Sequence, residues 1–250
     1  MAENGIHFLD ARGPEGVVVY AIGDVHGRLD LLTRMHEEIA AERERHRPSD
    51  WRIIHLGDYV DRGPESRGVI EFLIGATKAD ERVITLAGNH DIGFLEFLDE
   101  ADPTDIFARY GGAQTAQSYG VKLDFTSSDA FDACHLALVA AVPDSHADFL
   151  RSLGFFVSMG DFFFCHDGIR PGVALDAQDP HDLIWIREEF HRHTALHPKI
   201  IVHGHTPTPE PQVLANRVNI DTGAFYSGRL TALVIDGAET QILSIVGSPR

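Results

Sequence analysis

The sequence predicts an α/β fold, a four-layer αββα sandwich in which two mixed β-sheets pack face to face between layers of helices. Short apolar runs alternate with helical patterns in the first third of the chain, which is typical of a mostly parallel sheet. Strand-like runs dominate the last third and predict a second sheet. Because no linker, repeat or low-complexity tract divides the 250 residues, we expect one domain over residues 1–250.

The first third is predicted to fold as strand, helix, strand, helix, strand. Leu31, Leu32, Met35 and Ile39 recur at helical spacing, and Pro48 lies just beyond the end of that pattern. Each apolar run is followed at once by a glycine and a polar residue. The resulting strands lie at residues 17–22, 51–56 and 82–87, and the helices at residues 28–45 and 64–74.

The rest of the chain divides into a helical and a strand-rich part. Residues 91–153 have a helical pattern with breaks at Gly111-Gly112, Gly120 and Pro143, so we expect a helical insertion or lid at about 92–153. Residues 154–168 predict a hairpin that turns near Met159-Gly160. Further strands are predicted within residues 198–207, 218–223 and 229–236.

Charge and composition exclude several classes of function. Asp and Glu number 38 against 21 Lys and Arg, and the formal charge is −17. A surface this acidic repels nucleic acid and anionic membranes, so a phosphate ligand needs a local source of positive charge. The two cysteines suit a reducing compartment, and the N-terminus has no pattern of a signal peptide. We therefore expect a cytoplasmic protein with no membrane or nucleic-acid partner.

Polar groups with metal-binding or catalytic chemistry follow five predicted strands. A single Asp after a strand is usually a turn or helix-capping residue, and a single pair of histidines on one strand is usually structural. That explanation would have to hold at five strand ends. Because ligands bind beyond the carboxyl ends of parallel strands, we expect all five strand ends to bring these groups to one edge of a single sheet. The residues concerned are Asp24, His26, Asp58, Asp61, Arg62, Asn89, His90, His166, His203 and His205.

The chemistry of this set indicates two divalent cations. Carboxylate, imidazole and amide ligands without thiolate suit Mn²⁺, Fe, Zn²⁺ or Mg²⁺. Six ligands are too many for one ion with open positions, but they fit two ions that share a carboxylate and polarise a phosphoryl group. Two such ions would also supply the positive charge that an acidic protein needs to bind phosphate.

The motifs GDVHG, GDYVDRG, GNHD, HDG and VHGHTP, in this order, resemble those of the calcineurin-like metallophosphoesterases. More narrowly, they resemble the phosphoprotein phosphatase branch, which includes bacterial and phage serine/threonine protein phosphatases. The motifs run from Gly23 to Thr206, and similar sequence continues to about Leu233, so the resemblance covers most of the chain. It implies the αββα fold and two bound divalent ions, with Mn²⁺ expected first and Fe, Zn²⁺ or Mg²⁺ as alternatives.

The resemblance also implies a role for each residue. Asp24 and His26 would hold the first ion, Asp58 would bridge both, and the second would be held by Asn89, His166 and His205. His90 would be the general acid, and Asp61 would orient it and keep it protonated. Arg62 would bind a phosphate oxygen, and Arg187 in LIWIREEF is expected to be the second arginine of this kind.

The expected activity is hydrolysis of a phosphomonoester by in-line attack of a metal-bridging hydroxide, without a covalent intermediate. A serine/threonine protein phosphatase acting on a phosphorylated protein or peptide is the first expectation. Asp91 in GNHD also suits a dinucleoside-tetraphosphate or other small-molecule phosphohydrolase. A nuclease is disfavoured by the charge, and a non-catalytic phosphate-binding module by the complete set of ligands. The motifs leave the specific substrate, the oligomeric state and the role of His203 open.

The remaining polar candidates are expected to be structural. Cys134 and Cys165 are predicted to be buried core thiols, and Asp91 to support the GNH loop. The histidines at 191, 193 and 197 are expected to be solvated, with stray metal binding as the alternative, and His203 is expected to lie behind the metal ligands. Asp221 and Tyr226 are placed near the rim of the site.

Overall fold

The structure, a computed structural model that describes residues 5–249, contains two five-stranded sheets. The strands, in chain order, are β1 Val17–Ile22, β2 Asp50–His55, β3 Val83–Thr85, β4 Phe156–Met159, β5 Phe162–Cys165, β6 Ile200–His203, β7 Gln212–Val213, β8 Arg217–Asn219, β9 Arg229–Asp236 and β10 Glu239–Val246. The first sheet has the order β10-β9-β1-β2-β3, and the second has the order β4-β5-β6-β8-β7. Residues 1–4 and 250 lie outside the described residues. They include the first and last residues of the predicted domain and the start of the N-terminal segment for which the sequence predicts no signal peptide.

Both sheets are mixed, as the sequence predicts. Strands β1, β2 and β3 are parallel, and β9 and β10 join them in antiparallel pairing. In the second sheet β5, β6 and β8 are parallel, with β4 and β7 antiparallel at the edges. Ile22 pairs with His55 at the ends of β1 and β2, so the loops that follow these two strands start side by side.

Ten α-helices are described. They are α1 Leu29–His46, α2 Ser66–Ala79, α3 Asn89–Asp99, α4 Ile106–Arg109, α5 Gly112–Ser118, α6 Ser128–Ala141, α7 Asp144–Arg151, α8 Pro180–Trp185, α9 Glu188–His191 and α10 Ala224–Ser227. Three of the predicted helix breaks coincide with observed helix ends: Gly111 precedes α5 with φ of 117°, Gly120 follows it with φ of 82°, and Pro143 caps α7. No described helix is both long enough and apolar enough to cross a membrane.

Three apolar clusters produce the four layers. Val19, Ile54, Phe164 and Val202 are fully buried in the cluster between the two sheets. On the outer face of the first sheet, the apolar stripe of α1 and residues from α2, α3 and α6 form the largest cluster. On the outer face of the second sheet, α8 and α9 cover β5 and β6. Removal of this apolar surface from water drives the layers together, and the αββα prediction is confirmed.

The structure differs from the predicted elements at several places. Strand β3 has three residues instead of six. Leu86 beyond it still donates to the His55 carbonyl oxygen but forms an isolated bridge with Gly154, and Ala87 donates to the Gly154 carbonyl oxygen. Strand β10, α8, α9 and α10 were not predicted. Cys134 and Cys165 are buried free thiols, as predicted. The cytoplasmic location inferred from the cysteine content stays a prediction.

Candidate metal centre

Five strand ends bring the predicted polar residues together. Three of these strands, β1, β2 and β3, belong to the first sheet, and β5 and β6 belong to the second. The expectation that all five strand ends lie at one edge of a single sheet is therefore wrong: the site lies where the carboxyl ends of parallel strands from both sheets meet. Asp24, His26, Asp58, Asp61, Asn89, His90, His166 and His205 are all buried there.

Asp58 lies between two groups of possible metal ligands. Its Oδ2 atom is 3.2 Å from His26 Nε2, and its Oδ1 atom is 3.4 Å from His166 Nε2. The first group consists of Asp58, His26 and His90, and the second of Asp58, His166 and His205, with the ligand atoms of each group within 4.8 Å of one another. The carboxylate thus presents one oxygen to each group, which is the arrangement that a bridging ligand needs.

The second group is a compact set of nitrogen and oxygen atoms. Asn89 Oδ1 lies 3.0 Å from His166 Nε2 and 2.9 Å from His205 Nδ1, and the two ring nitrogens are 3.1 Å apart. His166 Nδ1 donates a hydrogen bond to the Leu56 carbonyl oxygen, which leaves the Nε2 lone pair directed at the other ligands when the ring is neutral. A cation between these atoms would satisfy all of them at once.

The first group has an unpaired buried nitrogen. His26 Nδ1 donates to the Val60 carbonyl oxygen at 2.8 Å, and His26 Nε2 is buried with Asp58 Oδ2 at 3.2 Å but with no hydrogen bond of good geometry among the described residues. Fixing the ring proton on Nδ1 in this way prepares Nε2 for a metal. Asp24 lies beside the centre, where its carboxylate accepts the backbone N–H of His205, but it belongs to neither group of close ligand atoms.

The electrostatic environment favours a positive charge at this position. Although burial opposes it, the carboxylates of Asp58 and Asp24 raise the pKa of His166 to about 10. Burial, together with the neighbouring His166, lowers the pKa of His205 to about 2, so that His205 is neutral as a metal ligand must be. Burial and the adjacent Asp221 raise the pKa of Asp24 well above its usual range. The donors therefore fit divalent cations, which would stabilise both carboxylates as anions.

Backbone strain is concentrated at the same place. Six described residues other than glycine have positive φ, and five of them, His26, Asp58, Asp61, Arg62 and His205, are predicted site residues. Such conformations persist where the surrounding structure enforces them, and they cluster at functional sites. Two glycines also leave room for carboxylates: a Cβ atom on Gly204 would lie 2.0 Å from Asp24 Oδ1, and one on Gly88 would lie 2.1 Å from Asp58 Oδ1.

His90 lies between Asp61 and Arg62. Its Nδ1 is 2.7 Å from Asp61 Oδ2, and Arg62 Nη2 donates to its Nε2 at 2.9 Å, so the ring is held as the neutral Nδ1–H tautomer. Burial, reinforced by the positive charge of Arg62, lowers the pKa of His90 to about 4. Burial raises the pKa of Asp61 to about 8. Burial here opposes the attraction of Asp61 for a proton on His90, and the expectation that Asp61 keeps His90 protonated stays a prediction.

A cleft of about 470 Å³ opens directly over the centre. The two predicted phosphate-binding arginines, Arg62 and Arg187, both line it, and Arg187 Nε donates to His205 Nε2 at 3.0 Å. Two aromatic residues that the sequence did not single out, Tyr110 and Trp185, line the same cleft. Tyr110 follows a short helix, and its sequence surroundings carry no signal of a binding role.

The structure also locates the other candidates. Asp91 accepts backbone N–H bonds from Asp58, Tyr59 and Gly88, which confirms that it supports this loop. Asp221 is buried beside Asp24 rather than at the rim, and Tyr226 is 45 % exposed but does not line the cleft.

The histidines beyond the centre are less exposed than predicted. His197 was expected to be solvated, but it is buried and stacked on Phe190, while His191 and His193 are half-buried. His203 is buried behind the ligands, as predicted, and belongs to neither of the two groups that share Asp58.

Comparison with known proteins identifies the family. The family model described as calcineurin-like phosphoesterase matches residues 17–227. A bis(5'-nucleosyl)-tetraphosphatase PrpE [asymmetrical] from Anoxybacillus flavithermus is 26% identical over 238 residues, covering 88% of this chain and 91% of that protein. The protein of the same description from Bacillus thuringiensis is 28% identical over 244 residues, with the same coverage of both chains.

Solved structures share the fold. A candidate diadenosine tetraphosphatase superposes with a TM-score of 0.65 at 18% identity, covering 92% of this chain and 95% of that one. A serine/threonine phosphatase from Saccharomyces cerevisiae superposes with a TM-score of 0.54 at 14% identity, covering 97% and 86%. With the family model matching from β1 to the end of α10, this chain belongs to the calcineurin-like phosphoesterase family.

Proposed function

We propose that this chain hydrolyses dinucleoside tetraphosphates at a centre of two divalent cations. The observation that carries the proposal is the position of Asp58, whose two carboxylate oxygens face two separate groups of ligands at the base of a cleft. The curated relatives named as tetraphosphatases support this substrate class over the phosphoprotein that the sequence first favoured. Mn²⁺ stays the predicted metal, because carboxylate, amide and imidazole ligands all suit it.

We assign each ligand of the centre to one of the two ions according to which ligand atoms lie close together. His26 and one oxygen of Asp58 would hold one ion, and Asn89, His166, His205 and the other oxygen would hold the second. Asp24, beside His205, would complete the first site once a cation stabilises its anionic form. Bound ions supply positive charge to the phosphate oxygens and lower the pKa of a water molecule, which makes it nucleophilic at neutral pH.

The arginines bind the phosphate chain in this proposal. In the structure each of them donates to a histidine, Arg62 to His90 and Arg187 to His205. If His205 Nδ1 holds an ion, the ring proton would lie on Nε2, which could then not accept a hydrogen bond from Arg187. The Arg187 guanidinium is thereby free to bind a phosphate oxygen, with the planar two-pronged geometry that suits it. Metal binding and phosphate recognition are coupled through one imidazole ring.

The aromatic residues of the cleft favour a nucleotide. Tyr110 is 62 % exposed, and Trp185 packs edge-on against His205 with ring centroids 5.9 Å apart. Nucleobases stack on exposed aromatic rings, and a ring beside a pair of arginines suits a base joined to phosphates. A cleft of this volume accommodates one nucleotide and leaves the remainder of a dinucleotide to extend outward.

Product analysis tests the proposal. The purified chain, supplied with Mn²⁺, is incubated with diadenosine tetraphosphate, and the nucleotides are separated by chromatography. Asymmetrical cleavage gives AMP and ATP in equal amounts, and we expect this product pair, whereas symmetrical cleavage gives ADP alone. Failure to cleave the dinucleotide by a metal-dependent reaction would refute the proposed substrate.

A phosphoprotein is the second candidate, because of the Asp61–His90 pair. A histidine held by a carboxylate beside the centre is suited to protonating an alkoxide, the leaving group of phosphoserine and phosphothreonine. A phosphoserine peptide is therefore included in the same assay. A larger kcat/KM on the peptide than on the dinucleotide would make this second candidate the function.

Removal of the exposed aromatic ring of Tyr110 is expected to weaken nucleotide binding. Because stacking on one base contributes about 1–3 kcal/mol, Tyr110→Ala should raise the KM for diadenosine tetraphosphate about 5- to 160-fold. Hydrolysis of p-nitrophenyl phosphate, which has no base, should be nearly unchanged. Tyr110→Phe retains the ring and should restore the KM, and Tyr226→Ala removes an exposed ring outside the cleft as a control. Equal losses on both substrates would contradict a role in base recognition.

A further inference from the structure

A third group of possible metal ligands lies outside the proposed dinuclear centre. Asp167, His191 and His203 place one ligand atom each within 4.8 Å of the other two. Asp167 follows β5, His203 ends β6, and His191 is the last residue of α9. The three residues therefore join the outer helical layer to the ends of two parallel strands.

Every polar atom that faces this position lacks a hydrogen bond. Both carboxylate oxygens of Asp167 and the Nε2 atoms of His191 and His203 are buried without partners. Among the described residues eight buried side-chain atoms are in this condition, and four of them are here. Leaving such groups unpaired in the interior is costly, so a concentration of them indicates that something else satisfies them.

Direct hydrogen bonds from Asp167 to the neighbouring histidines do not explain why these side chains face one another. Asp167 Oδ1 is 3.8 Å from His191 Nε2, and Asp167 Oδ2 is 3.5 Å from His205 Nε2, both longer than a good hydrogen bond. Separations of this order are those between ligands that bind one ion at about 2 Å each. The distances from the Asp167 oxygens to the histidine nitrogens are thus too long for hydrogen bonds and suitable for a shared metal ion.

The tautomer of His203 is set for metal binding. Its Nδ1 lies 3.1 Å from the Gly204 carbonyl oxygen, an acceptor only, so Nδ1 carries the ring proton. The Nε2 atom then carries a lone pair, and it is this atom that is buried without a partner. A ring nitrogen bonded to a backbone carbonyl, with the other ring nitrogen free, is the usual arrangement of histidine ligands in metal sites.

We propose that Asp167, His191 and His203 bind a third divalent cation, Zn²⁺, separate from the dinuclear centre. Two imidazole nitrogens and one carboxylate form a common zinc ligand set, with water in the remaining position. His203 and Asp167 are almost fully buried, whereas His191 is half-buried and gives the ion a path from solvent.

The ion would position a phosphate-binding residue of the neighbouring centre. Helix α9 begins immediately after Arg187, so a metal bond to His191 at its other end fixes the segment that carries this arginine. Asp167 would link the two sites, since its second oxygen faces the Nε2–H of a metal-bound His205. The third ion thus has a structural role that the catalytic ions do not share.

The number of zinc ions bound per chain measures occupancy of the proposed site directly. Wild type, His191→Gln and His193→Gln are stripped of metal, dialysed against buffered micromolar Zn²⁺, and analysed for zinc per chain. We expect His191→Gln to bind one ion fewer than wild type. His193→Gln, which changes a histidine of the same segment outside the group, should bind the same amount as wild type. Equal zinc content in wild type and His191→Gln would overturn the proposal.

The measurement is independent of the proposed catalytic centre. The result is the difference in zinc content between wild type and variant, which should be one ion whatever number of ions the dinuclear centre holds. None of the three ligands belongs to that centre. Asp167→Asn, which keeps the size of the side chain, should show the same loss of one ion, with circular dichroism confirming the fold. Zn²⁺ should raise the Tm of wild type more than that of either variant, and equal increases would count against the site.

Discussion

Asp58→Asn is expected to remove nearly all hydrolytic activity and to lower the metal content of the protein. In the proposed centre this side chain is the one ligand common to both ions, and each of its oxygens faces a different histidine. An amide replaces one anionic oxygen by an NH₂ group, which cannot bind a cation. Since metal ions contribute several kcal/mol to stabilisation of the transition state, kcat should fall at least about a thousandfold.

The fold should tolerate this substitution. Asp58 has a φ of 56°, in the left-handed region where Asn is among the best accepted residues. Its Oδ1 atom accepts the backbone N–H of His90, and an amide oxygen can accept the same bond. The loss of activity is therefore expected without unfolding, which the Tm and circular dichroism of the metal-free proteins can verify.

The measurement combines activity with metal analysis after dialysis against limiting Mn²⁺. Asp132→Asn makes the same chemical change on the exposed face of α6 and should leave both values unchanged. Full activity in Asp58→Asn, or an unchanged number of bound ions, would contradict the bridging role. A loss of one ion with partial activity would indicate that the reaction needs only the remaining site.

The residues around Asp58 were predictable from the sequence because their signal is local. A short apolar run ending in glycine and an acid marks the carboxyl end of a strand, and the topology of a parallel sheet then brings such ends together. Neither step requires knowledge of side-chain packing. Repetition of polar residues at five strand ends indicated the candidate residues, and the resemblance to the metallophosphoesterases divided them into ligands and catalytic groups.

The strand and the residues that were not predicted from the sequence depend on contacts between distant parts of the chain. Strand β10 is an edge strand with mostly exposed or half-buried residues, and only its antiparallel pairing with β9 makes it a strand. Tyr110 reaches the cleft because Gly111 takes a φ of 117° and its carbonyl oxygen accepts a hydrogen bond from the backbone N–H of Arg62, a contact between distant segments. Asp167 was overlooked beside His166, since its importance depends on histidines that follow it by more than twenty residues.

Protonation states are the other property that the sequence leaves open, and the reason is burial. An Asp–His pair on a surface raises the pKa of the histidine through simple attraction. Inside this protein both groups are desolvated, and Arg62 adds a positive charge on the far side of the ring. The sequence identified the partners correctly but could not give the degree of burial, which decides the sign of the shift.

His90→Asn is expected to reduce hydrolysis in proportion to the need of the leaving group for a proton. General acid catalysis contributes about 10²- to 10⁴-fold, so kcat for a phosphoserine peptide should fall by this amount. Nitrophenolate leaves readily without protonation, so p-nitrophenyl phosphate should be affected much less. The phosphate leaving group of a dinucleoside tetraphosphate also departs as a stable anion and should show a small loss.

The substitution retains the neighbouring structure. The amide nitrogen of Asn can take the place of His90 Nδ1 and donate to Asp61 Oδ2, so that the buried carboxyl group keeps its partner. Asp61 also keeps its bond from Thr115 Oγ1. Asp61→Asn is the companion variant, because it disturbs the orientation and tautomer of His90 without removing the ring, and it should produce the same order of losses across the three substrates.

Metal content decides between two roles that the geometry of His90 offers. His90 belongs to a group of close ligand atoms with His26 and Asp58, but its Nδ1 bonds to Asp61 and its Nε2 accepts from Arg62. A proton donor leaves the metal content unchanged when it is replaced, whereas a ligand does not. We expect His90→Asn to bind as much Mn²⁺ as wild type. Loss of an ion, or equal losses of kcat on the peptide and on p-nitrophenyl phosphate, would indicate that His90 is a metal ligand. Water would then be the proton donor to the departing alkoxide.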